Sequence, residues 1–246
     1  MGDRITEVAA LKMRDGEPSG TFQSLINPLK PIPSKITDIT GIDNSMVASA
    51  PEFYEIAEEL LDFIRGTVLV FHNAPFDLRF LAPGLKAVSP GVDFPVVDTL
   101  KLARRNFSFT GNSLGSIARQ LGIRIENAHR AMDDVRATAE ILNHFIRILS
   151  RDKNTETLEE LLELQGGTVL LPECELSRVP LPVKEALRLG GILRFRYVTG
   201  EGLEAVMEAA PREIVSYSNY TYLVAYCRRV SGIRVFRLDR ILGFLF

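Results

Sequence analysis

Apolar and polar positions alternate with a period of two over residues 5–13 and 21–26, which predicts two half-buried strands. The period lengthens over 52–64, where Pro51 precedes apolar residues at helical spacing. A short apolar run at 67–71 reads as a buried strand, and 113–121 as a helix that Gly122 closes. From Asp134 an alanine-rich helix is expected, with Ile141 and Phe145 seven and eleven positions on, so the carboxylate continues a buried stripe. Strands and helices in alternation predict an α/β domain with a covered sheet.

The pattern changes after residue 150. Residues 155–164 read as one short amphipathic helix with Leu158, Leu161 and Leu162 on one side, ended by Gly166-Gly167, and Pro172, Pro180 and Pro182 space out an irregular stretch. A helix around 183–189 and strands at 192–197, 205–209, 220–226 and 234–241 predict a small β-domain. Charge follows the same division. Residues 151–183 hold three bases against seven acids, a balance of −4, whereas 184–246 hold ten against six, +4. The expected organisation is therefore a domain over 1–150, a linker over 151–183 and a second domain over 184–246.

Composition adds little beyond class. With 246 residues, 46% hydrophobic, 24% charged and a net charge of −2, the chain is globular in character. It has no apolar run near twenty residues and no signal-peptide core, so the expectation is a cytoplasmic protein without a membrane partner. Cys174 and Cys227 form no metal-binding spacing and read as reduced thiols.

The candidate chemistry lies in two segments, Phe71-His72-Asn73-Ala74-Pro75-Phe76-Asp77 and Ala128-His129-Arg130-Ala131-Met132-Asp133-Asp134. Phosphodiester hydrolysis needs hard oxygen ligands for a divalent cation and a base for the attacking water. Asp77 and Asp134 can be the ligands. His129 can be the base, because an imidazole with a pKa near about 6.5 accepts a proton at neutral pH. A plainer reading stands beside this one: Asn73 and Pro75 suit a helix start, and an aspartate there is favoured by the helix dipole with no catalysis.

Five segments in order over residues 2–149 resemble the DEDDh 3′-5′ exonucleases, the family of the epsilon proofreading subunit of bacterial DNA polymerase III. Residues 2–8 resemble its second strand, and 36–42 its Thr-Gly-Ile loop. Residues 70–77 resemble its second exonuclease motif, 98–100 the helix start that follows, and 128–134 its third motif. The resemblance implies a ribonuclease H-like fold, Mg2+ or Mn2+ in a two-metal site with Asp77 and Asp134 among the ligands, and His129 as general base. It also implies single-stranded DNA or other nucleic acid as partner, within a polymerase or repair complex.

The family's first motif, an Asp-x-Glu on a central strand, does not occur between Met1 and the segment that resembles the second strand. Asp3 and Glu7 stand where the family has strand-entry and strand residues. The expectation is a fragment or a misplaced start codon, a sheet lacking its first strand, and impaired activity in the chain as given.

Residues 184–246, through 221–226 and 234–241, resemble the WYL domain, an SH3-like β-barrel of bacterial regulators, with Thr221 at the tryptophan position. Arg234, Arg237 and Arg240 recur every third residue, so on a strand Arg237 would face away from the other two. Together with Tyr222 and Tyr226 they are candidates for gripping an oligonucleotide by phosphate contact and base stacking, or for pairing with Asp239 and nearby glutamates. Three readings follow: a 3′-5′ exonuclease on single-stranded DNA ends, a catalytically inactive nucleic-acid-binding or regulatory module, and an RNA-trimming enzyme.

Overall fold

The computed structural model describes residues 4–89, 92–126, 129–170, 179–200, 202–217 and 220–245. Gly2, Asp3, Ala128, Pro172 and Cys174, named above, lie outside them. The chain forms two compact units. One comprises Ile5–Leu78 and Asp93–Leu170; the other Met1–Arg4, Arg79–Val92 and Leu171–Phe246.

The first unit begins with a hairpin. β1 (Glu7–Arg14) pairs antiparallel with β2 (Glu17–Leu25) through Asp15-Gly16, both at positive φ (52° and 83°), the backbone that a two-residue Asp-Gly turn favours. Two short helices follow, α1 (Ser34–Thr40) and α2 (Asn44–Val47), the second capped by Asp43. Helix α3 (Phe53–Ile64) starts in a capping box between Glu52 and Glu55. Strand β3 (Leu69–Phe71) runs parallel to β4 (Val96–Asp98), and α4 (Ala74–Val88) leaves β3 after two residues.

Then come α5 (Thr99–Asn106), α6 (Leu114–Leu121), α7 (Ala131–Lys153) and α8 (Leu158–Leu164). Among the described residues the β1–β2 and β3–β4 pairs share no strand bonding, so β1 and β3 each carry one open edge. Helix α7 packs on both.

The core of this unit is the one that the helical spacing predicts. Ile141 and Phe145 are fully buried with Val97, Leu102, Ile117 and Leu149, and the ring of Phe145 stacks on Phe107 at 4.2 Å between centroids. Leu161 of α8 is buried in the same core, and Leu158, Leu162 and Leu164 pack at its margin. The short amphipathic helix foreseen at 155–164 thus covers the core of the first unit.

In the second unit α9 (Leu181–Leu189) precedes β5 (Leu193–Val198), β6 (Glu204–Tyr217), β7 (Tyr220–Cys227), β8 (Gly232–Arg237) and β9 (Ile241–Leu245). These form one five-stranded sheet in the order β8-β7-β6-β5-β9, with no closure between β8 and β9 among the described residues. The single strand expected over 234–241 is corrected. β8 pairs with β7 and β9 with β5, which lie on opposite sides of β6, so no straight strand could reach both. The chain turns through a 3-10 segment at Leu238–Arg240 instead, with Leu238 buried. β6 is also longer than foreseen, carrying a bulge at Pro211–Glu213 where proline has no amide to donate.

Candidate active site

Asp77 and Asp134 occupy equivalent places: each is the fourth residue of its helix, in α4 and α7. A residue in the left-handed backbone region lies just before each helix, Asn73 at φ 79° directly before α4 and His129 at φ 71° two residues before the start of α7. Asparagine and histidine are among the non-glycine residues that tolerate this conformation, and there it turns the chain sharply into the helix.

The start of α4 is fixed by a residue outside its motif. Asp98, 1% exposed, caps α5 by accepting from the amides of Leu100 and Lys101 at 3.0 and 3.4 Å. The same carboxylate accepts from the amides of Asn73 and Ala74 at 3.0 and 3.1 Å. It therefore satisfies orphan amide donors at the starts of two helices. His72 is held beside them: its Nε2–H donates to the Asn112 carbonyl at 2.9 Å, and Nδ1 meets the Thr99 hydroxyl at 2.9 Å. Burial pulls its pKa below the usual histidine value and outweighs the Asn112 bond and the Asp98 charge.

The start of α7 is fixed in a parallel way by Glu7 of β1, whose side chain is 4% exposed. Its carboxylate accepts from Arg130 Nη2 at 2.8 Å and Nε at 3.2 Å, from the Ala131 amide at 2.9 Å and from Gln23 at 2.9 Å. So engaged, Glu7 anchors the start of α7. The exposed His129 donates its backbone amide to Asp134 Oδ1 at 3.4 Å.

The electrostatics converge on negative charge. Burial first, then the charges of Asp98 and Asp134, push the Asp77 carboxyl up to about 6. Burial also raises Asp134, and Asp133 and Glu7 add to the rise against the His129 contact. A divalent cation would relieve this repulsion, and Asp77 and Asp134 offer the hard oxygens it prefers. Among the described residues, however, no group of three or more His, Cys, Asp or Glu side chains is gathered to hold a metal. The carboxylates of Asp77 and Asp134 thus fall short of a full set of metal ligands among the described residues.

In the second unit the five residues named for oligonucleotide contact differ in access. Tyr222 is 5% exposed, so it is removed as a stacking platform, whereas Tyr226 is 38% exposed. Arg237 lies over the Tyr220 ring at 3.7 Å and pairs in bidentate fashion with Asp239. Arg234, opposite Ala225, is exposed on the other face of β8 from Arg237, as alternation predicts. Arg240 lies in the 3-10 turn, so no strand places it beside Arg234. Among the described residues no helix is long and apolar enough to cross a membrane.

Asp98 and Glu7 are the supporting residues whose role sequence reasoning missed. Asp98 carried a signal, an Asp-Thr at a strand end before a helix. Glu7 acts across 123 residues of chain and carried none.

Residues 1–142 match the family described as Exonuclease, and residues 179–244 the WYL domain. The DNA polymerase III PolC-type of Clostridium perfringens is 36% identical over 180 residues, covering 73% of this chain and 12% of that protein. A DNA polymerase III subunit epsilon-like protein of Rhodobacter capsulatus is 40% identical over 153 residues, covering 60% of this chain and 21% of that protein. The chain thus spans about an eighth of the PolC-type relative. Among solved structures, Exonuclease X in complex with 5′ overhanging duplex DNA superposes with a TM-score of 0.50 at 26% identity, covering 66% of this chain and 91% of that one.

Proposed function

Because the chain belongs to the Exonuclease family over residues 1–142, we propose that it serves 3′-5′ exonucleolytic hydrolysis of single-stranded DNA ends. The observation that carries this reading is the pair Asp77 and Asp134, set at matching positions of two helices, with the Asp77 carboxyl lifted to about 6 by burial and by neighbouring carboxylate charge. Mg2+ or Mn2+, when bound, supplies phosphate neutralisation and acidifies water. Asp77 and Asp134 are assigned as oxygen donors. His129, exposed at the lip of α7, is assigned to take the proton of the attacking water.

Two donors are too few for a two-metal site, and the family's further acids come from an Asp-x-Glu strand. The open edges of β1 and β3 are where such a strand would pair. Without those acids, turnover by the 246 residues should be weak. A role in a polymerase or repair complex is part of the same proposal, supported by the polymerase III relatives.

The test is release of label from a 3′-labelled DNA oligonucleotide with and without Mn2+, in this chain and in one extended by an Asp-x-Glu strand. Metal-dependent release that His129→Ala and Asp134→Ala abolish supports the reading. Tight binding with no release in either chain would replace it with a binding module, for which exposed Arg234 is the supporting observation. Faster release from the RNA oligonucleotide of the same sequence would make it an RNA-trimming enzyme.

A further inference from the structure

Among the described residues Gln165 is the largest polar side chain that is fully buried, at 1% exposed, and it lies beyond the residues that match the exonuclease family. Its carboxamide is bonded throughout. Oε1 accepts from the Asp98 amide at 2.8 Å, and Nε2 donates to the carbonyls of Val96 at 2.9 Å and Gly167 at 3.0 Å. An acceptor and a donor presented to residues i and i+2 of one strand are what a neighbouring β-strand would offer. A single side chain thus closes part of the outer edge of β4.

The segment that delivers it is itself held. Thr157 and Glu160 cap the start of α8, Asn106 of α5 donates to the Leu164 carbonyl at 3.0 Å, and Gly166 and Gly167 turn back at φ 95° and 98°. The residue that Gln165 grips is Asp98, whose carboxylate holds the Asn73 and Ala74 amides, four and three residues before Asp77.

From this chain of contacts we propose that Gln165 is a positioning residue for the metal-ligating end of α4, acting through Asp98. The segment after α7 is then part of the active-site construction, and the nuclease-like unit needs residues to about 167 to set Asp77. Without the Gln165 carboxamide, the Asp98 amide and Val96 carbonyl face a dry core unpaired, and β4 shifts or admits water. The two amides at the head of α4 loosen with it.

This inference rests on the exonuclease reading for the role of Asp77, and its test separates the two. Gln165→Met keeps the volume and removes all three hydrogen bonds. Amide hydrogen exchange of the full chain should show Asn73, Ala74 and Leu100 exchanging about tenfold faster in Gln165→Met, with α7 amides unchanged, the size expected for one lost buried hydrogen bond. Mn2+ affinity, read by the electron paramagnetic resonance of the free ion, should fall about tenfold at a temperature where both proteins are folded. Unchanged exchange at Asn73 and Ala74 overturns the proposal, whatever the metal does. A Gln165→Met chain that does not fold assigns the residue to stability alone and also overturns it. Failure to bind Mn2+ by both the wild-type chain and the chain extended by an Asp-x-Glu strand removes the exonuclease reading, while the exchange data still decide the link from Gln165 to α4.

Discussion

Glu7 and Arg130 are ion-paired at 2.8 Å across 123 residues of chain, and the same carboxylate takes the first amide of α7. β1 is thereby tied to the helix start that carries Asp134, so the pair holds fold and candidate site together. Glu7→Ala should lower stability by about 1–2 kcal/mol, since it leaves the first amide of α7 without its acceptor while the partly exposed Arg130 guanidinium can turn to solvent. Urea unfolding at pH 7 measures it. Burial raises the Glu7 pKa, but the bonds from Arg130, Ala131 and Gln23 outweigh that and hold it below the usual glutamate value. Its stabilisation is therefore complete above the unfolded value near about 4.3 and is lost as pH falls through the lower folded value. The acid limb of the stability curve should flatten in the variant.

Asp77 should behave in the opposite sense. Its folded pKa of about 6 lies above the unfolded value, so between the two the folded state binds more protons and stability falls as pH rises. Asp77→Asn should be more stable than wild type by about 2 kcal/mol at pH 8 and equal to it near pH 4. Thermal melts across that range test this. A variant no more stable at pH 8 would mean that the carboxylate is already compensated. In the wild type, Mn2+ affinity should climb with pH through about 6 as the carboxyl gives up its proton.

Gly166→Ala should destabilise by about 1–3 kcal/mol, because its φ of 95° lies outside what a side chain tolerates. The added methyl would also meet the Arg105 guanidinium at 3.0 Å, a contact that the flexible arginine can relieve by moving. Denaturant midpoints would show the backbone effect alone if Arg105→Ala fails to rescue it.

Oligonucleotide binding should respond unequally to the arginines of the WYL-matching region. Arg234→Ala should lower the slope of log affinity against log salt by about 0.7, the value for one phosphate contact to a single strand. Arg237→Ala should change the slope less, since Asp239 already engages that guanidinium. Equal slopes for wild type and Arg234→Ala would remove the β8 face from the binding surface.

Much of the scaffold could be read from spacing. The stripe from Asp134 to Ile141 and Phe145 and the Ser113 to Gly122 helix limits are local periodicities and caps that each segment fixes for itself. The turn at Leu238–Arg240 was hidden, because strand propensity runs through it and only the order of β5, β6 and β7 forces the break. Asp77, Asp134 and His129 were legible as motif residues. What stayed illegible was the support beneath them: a glutamine that replaces a strand partner has the same letter as any surface glutamine, and its bond to Asp98 spans 67 residues.

That span also sets a timetable for synthesis. A chain emerging at about 5–20 residues per second presents Asp98 roughly 3–13 seconds before Gln165 can reach it. During that interval β4 has no such partner at Asp98, and the nascent chain carries its acidic cluster in an unfinished frame. The nuclease-like unit should therefore lock late, when α8 and its glutamine clear the ribosome rather than when its last exonuclease motif does.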